Sequence, residues 1–170
     1  EASGYNVSKE SLYNNYFTND NLHESKVANG EHPRDKYLLN YLSDIQIYHF
    51  HETSATSMLR RECDINDNDI LKTDGRNLPA FLYYIQQRHT KLFNRLEKTI
   101  QSIAPYIDKL LLEPNKLNPK EIELRWVEKG DANASFNAYS FSDGSIRFIA
   151  LATVLMQPEP PSVIIIDEPE

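Results

Sequence analysis

The chain has 170 residues, 40% of them hydrophobic, with a formal net charge of −7 at pH 7 and a mean hydropathy of −0.58; that length holds one domain with a core, and the acidic balance gives no support to a broad nucleic-acid-binding face. The single cysteine, Cys63, excludes an intramolecular disulfide and a cysteine-based zinc site, and fits a reducing, cytoplasmic setting. No apolar run approaches the about eighteen residues of a membrane span, and the polar start "EASGYNVSKE" is no signal peptide.

Residues 1–36 are polar, with Asn, Ser, Glu and Lys around scattered aromatics. Within them "GYNVSKESLY" reads as an edge strand anchored by Tyr5, Val7, Leu12 and Tyr13, and 14–34 as loop. From Asp35, "DKYLLNYLSD" places Tyr37, Leu38, Tyr41 and Leu42 at helical spacing. "IQIYHFH" alternates as a strand, with Ile45, Ile47, His49 and His51 on one face and Gln46, Tyr48 and Phe50 on the other. A polar loop over 52–76 closes on "TDGRN", and Asn77 is a candidate N-cap for a helical region. There Leu78, Phe81, Leu82 and Ile85, then Leu92, Phe93, Leu96 and Ile100, repeat with helical period on either side of a break at "RHT"; Pro105 ends it. "DKLLLEPNKLNPKEIELRWVEKG" reads as strand, Pro/Asn turn and a second strand at 121–128, with Ile122, Leu124 and Trp126 on one face. "GDANASFNAY" is a loop or hairpin return. A helix is predicted from near Ser145, carrying Ile146, Ile149, Ala150, Thr153 and Val154 inward; "QPEPPS" breaks it and "VIIID" is a strand.

The chemistry concentrates in the last 30 residues. A continuous apolar strand predicts burial on both faces, as in a parallel sheet, and ligands of open α/β sheets sit beyond the carboxyl ends of such strands. Asp167 and Glu168 stand there. One carboxylate can hold Mg²⁺ and its neighbour can orient or deprotonate a water; the plainer alternative is a strand ending in a charged turn. Upstream, "FSDGS" feeds straight into an apolar helix. Free N–H groups at that helix start, with the hydroxyls of Ser142 and Ser145, make an anion-ready surface. Gly144 permits close backbone approach or a positive φ. The alternative is an ordinary N-cap made by Ser142 or Asp143.

Taken together, a Ser-x-Gly turn, an Arg-bearing helix, a Pro-rich break and an apolar strand ending in Asp-Glu resemble the signature motif and Walker B segment of ABC-type ATPases. More closely, the chain resembles the bacterial predicted-ATPase group of the AAA/ABC clan, whose head design is shared with RecF and the chromosome-maintenance proteins. "IQIYHFHETS" (45–54), "LKTDGRNLPAFL" (71–82), "IAPYIDKLLLEPN" (103–115) and "IELRWVEKG" (122–130) look like that group's segments, in its order. The resemblance implies an α/β fold: part of a P-loop ABC-type head with an antiparallel β segment and a helical insertion. Residues 1–36 would be a polar β/loop segment, and 37–170 the central and C-terminal part of the ATPase domain, with the signature at 141–145 and Walker B at 163–168. "FSDGS" departs from the usual LSGGQ at three positions but keeps the Ser and second Gly as Ser142 and Gly144.

In such families the signature turn reaches across a head-to-tail homodimer to the γ-phosphate of ATP on the partner. The resemblance therefore implies that Ser142, Gly144, Ser145 and Arg147 contact nucleotide in trans, that Asp167 is the Mg²⁺-associated carboxylate, and that Glu168 positions the hydrolytic water. Arg147 has an equal alternative as a solvated helix position. Implied cofactors are ATP and Mg²⁺, and implied roles lie in DNA maintenance or defence. No G-x-x-x-x-G-K-[ST] occurs in the 170 residues, so the chain is expected to be a piece of a longer ATPase, inactive in isolation; its start on Glu rather than Met points the same way. A non-catalytic interaction domain with a degenerate ATPase fold is the alternative.

Three further features invite weaker readings. His49 and His51 share a strand face and could chelate a metal, although two ligands are not a site. "DINDNDI" offers Asp64, Asn66 and Asn68 at calcium-loop spacing, with Asp69 beside them, but lacks the required Gly and closing Glu. "TDGRN" is structural punctuation ahead of a helix.

Overall fold

A computed structural model describes residues 33–167. The predicted edge strand and most of the loop that follows it lie outside those residues, as does Glu168. The chain divides into two compact units at Ile45/Gln46. In the first, helix α1 (Pro33–Ser43) opens with Pro, whose missing N–H costs nothing in a first turn. Its Tyr37, Leu38, Tyr41 and Leu42 are exposed.

The second unit is a mixed α/β body with small sheets. Strand β1 (Ile45–His49) leads in, and its alternation sends Tyr48, with Phe50 just beyond, into the core at 2% exposure each. The next segment carries a single 3-10 turn (Met58–Arg60) and the two-residue strand β2 (Cys63–Asp64). Helices α2 (Leu78–Arg88) and α3 (Thr90–Ile103) follow, broken at His89 where the pattern predicted. On α3 the apolar stripe Phe93, Leu96 and Ile100 is buried, each such side chain contributing about 1.5–3 kcal/mol of apolar burial. It packs against α2, β3 and the later helix α4.

Strands β3 (Ile107–Leu111), β5 (Arg125–Glu128) and β6 (Asp131–Asn137) form an antiparallel sheet in the order β3-β5-β6. Leu110 faces Trp126, which faces Phe136, so "GDANASFNAY" is the hairpin return rather than loop. The turn into β6 uses Gly130 at φ 98°, a conformation open to glycine at no steric cost. The predicted strand at 121–128 is interrupted: β4 (Glu121–Ile122) pairs with β2, while β5 joins the other sheet. Its alternation nonetheless survives, with Ile122, Leu124 and Trp126 all buried.

Helix α4 (Asp143–Leu155) starts two residues before the predicted Ser145, because Ser142 takes the N-cap: its hydroxyl accepts from Ser145 N–H at 3.1 Å. Ile146, Ile149, Ala150, Thr153 and Val154 are each 0% exposed, the inward set the sequence predicts. The buried Thr153 hydroxyl donates to the Ile149 carbonyl at 2.7 Å, which keeps a polar group in the core satisfied. Strand β7 (Val163–Asp167) pairs with β1. Here an expectation is corrected. The run "VIIID" predicts burial on both faces, yet Ile165 is 45% exposed, because among the described residues of the strand only Ile164 packs against the core. No helix among the described residues is long and apolar enough to cross a membrane.

Candidate functional site

The structure gathers the sequence-predicted residues into two clusters. The first is the start of α4. Ser142, Ser145 and Tyr106 form a run of exposed hydroxyls, with Ser142 Oγ 2.8 Å from Ser145 Oγ and Tyr106 Oη 2.9 Å from the same Ser145 oxygen. Gly144 lies in the first turn, where a Cβ would meet nothing within 4 Å. Its φ is not positive, since only Gly75 and Gly130 are so among the described glycines, which removes a left-handed backbone as the reason for glycine. Asp143 adds a carboxylate to the first turn, favourable to the helix dipole.

Two elements hold this turn in place. Arg60, 5% exposed, is the larger, and nothing in "MLRRECD" marks it. Its Nε donates to the Thr53 carbonyl at 2.8 Å; Nη1 donates to the carbonyls of Ala138 at 2.7 Å and Phe141 at 2.9 Å; Nη2 donates to Asp143 Oδ1 at 2.7 Å. The planar fork of a guanidinium suits it to such a multi-acceptor seat. The second support is aromatic: Trp126 stacks on Phe136 and Phe141 at centroid distances of 4.8 and 5.4 Å and meets Tyr106 edge-on at 5.2 Å. The β3-β5-β6 sheet thus reaches the start of α4 through Phe141 and Tyr106.

The second cluster lies at the end of β7. Asp167, with its side chain 54% exposed, has Oδ2 3.0 Å from His49 Nδ1 on the neighbouring strand β1. Among the described residues no other donor reaches this carboxylate. A half-exposed carboxylate with one oxygen uncommitted fits Mg²⁺, which takes one or two protein carboxylates and fills its octahedron with water and phosphate oxygens. His51 lies past the end of β1, so the two imidazoles do not share a strand face as predicted. No group of three or more metal-ligating side chains exists among the described residues. Arg147 is half-buried rather than solvated: its Nη2 donates to the His51 carbonyl at 3.0 Å, tying α4 to the segment after β1.

The remaining candidates resolve into turns. Asp64 Oδ1 accepts from the backbone and side-chain amides of Asn66, and Asn68 Nδ2 donates to Ile65 O, so this acidic loop caps itself. In "TDGRN" Gly75 sits at φ 69°. Burial pushes the Asp74 carboxyl up, but hydrogen bonds and charge from Arg76 outweigh it and hold the group below its ordinary value. Asn77 takes the N-cap position without capping: fully buried, it accepts from Lys72 N–H and donates to the carbonyls of Asp67 and Ile70, organising the loop ahead of α2. Burial pushes the Cys63 thiol up to about 11, which removes it as a nucleophile near neutral pH.

A mixed α/β domain with small sheets and helices is consistent with an AAA-type P-loop ATPase domain. The family model described as "AAA domain, putative AbiEii toxin, Type IV TA system" matches residues 6–170, and the chain belongs to that family. No curated protein and no solved structure matches it.

Proposed function

We propose that this chain supplies the signature turn and Walker B carboxylates of an ABC-type ATPase head, of the design shared with RecF and the chromosome-maintenance ATPases, and that it works on ATP with Mg²⁺. The observation that carries the reading is Gly144, which neither its own backbone nor any neighbour requires to be glycine. A glycine on an exposed helix start between two serine hydroxyls suits a phosphate that must approach the backbone closely.

On this reading Ser142, Gly144 and Ser145 present hydroxyls and N–H groups to the γ-phosphate of ATP held by a second copy in a head-to-tail homodimer. Asp167 holds the Mg²⁺, and Glu168 orients the attacking water and takes its proton. When bound, the ion offsets charge on the phosphoryl oxygens during transfer. Arg147 enters as the link between the signature helix and the segment after β1; a phosphate would compete with the His51 carbonyl for its guanidinium. Residues 37–170 would be the central and C-terminal part of the head, with 1–36 a preceding β/loop segment. A role in defence accords with the family's description as a putative toxin of a type IV toxin–antitoxin system.

The sequence holds no G-x-x-x-x-G-K-[ST], so the phosphate cradle comes from elsewhere. Calorimetric titration of the 170-residue chain with Mg-ATP is expected to give no micromolar binding. In a polypeptide joining these residues to a P-loop, Glu168→Gln is expected to trap ATP-bound dimers and abolish turnover. Normal turnover in that variant would remove Glu168 from the mechanism and favour a non-catalytic interaction domain.

A further inference from the structure

The role of His49 is open: the metal reading based on a His pair is not what the structure builds. Its backbone is fixed on both sides. His49 N–H donates to the Thr73 carbonyl at 2.9 Å, and two residues on, the His51 carbonyl receives Arg147. Strand alternation buries Tyr48 and turns His49 to the opposite side, its side chain 45% exposed, beside the last residue of β7. There Nδ1 lies 3.0 Å from Asp167 Oδ2. An ionised carboxylate can only accept, so Nδ1 is the donor.

We infer that His49 is a positioning residue for Asp167. It holds Oδ2 in one rotamer and so presents Oδ1 to a divalent cation. The inference rests on the proposed reading of Asp167 as a metal carboxylate and extends it to a residue outside the signature and Walker B motifs. An exposed aspartate otherwise samples several rotamers, and ordering it on binding weakens the ion's hold. Partners of this kind set metal affinity by about 10–100-fold when removed. A hydrogen bond made by the ring nitrogen nearer the backbone also predicts which substitute works. The Asn amide reaches the place of Nδ1, whereas the Gln amide reaches that of Nε2.

The test titrates the 170-residue chain with Mn²⁺, a paramagnetic stand-in for Mg²⁺, and reads line broadening around residue 167 in ¹H–¹⁵N spectra; no nucleotide or turnover is involved. Wild type is expected to show broadening centred there, and Asp167→Asn to lose it. His49→Ala and His49→Gln are expected to bind about tenfold more weakly, and His49→Asn to stay within about threefold of wild type. His51→Ala, which leaves the His51 backbone carbonyl in place, is expected to match wild type. Equal Mn²⁺ affinity in wild type and His49→Ala, with Asp167→Asn still losing it, overturns the role of His49 and leaves Asp167 as the metal carboxylate. Equal weakening in Ala, Gln and Asn variants reduces His49 to general strand packing and overturns the inference as well. Wild-type broadening that Asp167→Asn does not alter overturns both readings. Preserved amide spectra in the metal-free variants separate each of these from unfolding.

Discussion

Arg60 is expected to be the residue on which the turn into α4 depends, and the expectation can be worked from its bonds. Replacing it with Met keeps volume and apolar stem but removes every donor. The Thr53 and Phe141 carbonyls, on residues 7% and 4% exposed, then lose their only donor among the described residues, at about 1–3 kcal/mol for each stripped acceptor. The Ala138 carbonyl keeps the Phe141 N–H at 3.3 Å and suffers less. The Asp143 side chain is 70% exposed, so its ion pair adds no more than about 1 kcal/mol. Removing a buried guanidinium also returns its desolvation cost. The net expectation for Arg60→Met is a loss of about 2–4 kcal/mol, a large share of the 5–15 kcal/mol that holds a typical domain. Urea unfolding followed by fluorescence of Trp126, the sole tryptophan and in contact with Phe141, measures it directly. Asp143→Ala is the control and should lose less than about 1 kcal/mol. Arg60→Met within about 0.5 kcal/mol of wild type would refute the argument; so would Asp143→Ala losing as much as Arg60→Met, since the carboxylate and not the carbonyls would then be the anchor.

Two glycines should respond in opposite ways to alanine. Gly144→Ala is expected to be neutral or to stabilise the chain by up to about 1 kcal/mol in urea unfolding, since a helical Gly gives way to a better helix former with open space around it; a clear loss would mean that the turn needs glycine for its own fold. Gly75→Ala should destabilise by more than about 1 kcal/mol, because φ is 69° and the new methyl would overlap Leu59 Cδ2. Burial pushes the Glu97 carboxyl above its ordinary value of 4.5, against the lowering effect of the Leu110 N–H it accepts at 2.8 Å. The folded state therefore binds this proton more tightly, so the contribution of Glu97 to stability falls as pH rises from about 4.5 through its folded value. Glu97→Gln keeps an acceptor for Leu110 and should flatten that fall; thermal melts between pH 4.5 and 7 that stay parallel to wild type, or a variant less stable at pH 7, would contradict it.

How much of this was legible in one dimension follows from which interactions are local. Periodicity located α2, α3 and α4, the break at His89 and the inward set of α4, because the 3.6-residue repeat is a property of neighbouring positions. Ser142 and Gly144 were legible for the same reason: a cap and a first-turn glycine act within four residues. Local signals misjudged β7 and the 121–128 strand, since burial and pairing depend on which strands arrive alongside. Asn77 shows the same limit, for its N-cap position was predicted but its three bonds to the preceding loop were not.

The sequence by itself determined the helices, the hydroxyl-lined helix start, the carboxylate at the end of an apolar strand and the likeness to an ATPase group, all carried by spacing within short segments. Only the tertiary structure decided that Arg60 spans 83 positions to hold Asp143, that Tyr106 joins Ser145 across 39, and that His49 reaches Asp167 across 118. Such bonds join groups whose chain separation carries no pattern, so they exist only once the packed core has brought their strands and turns together.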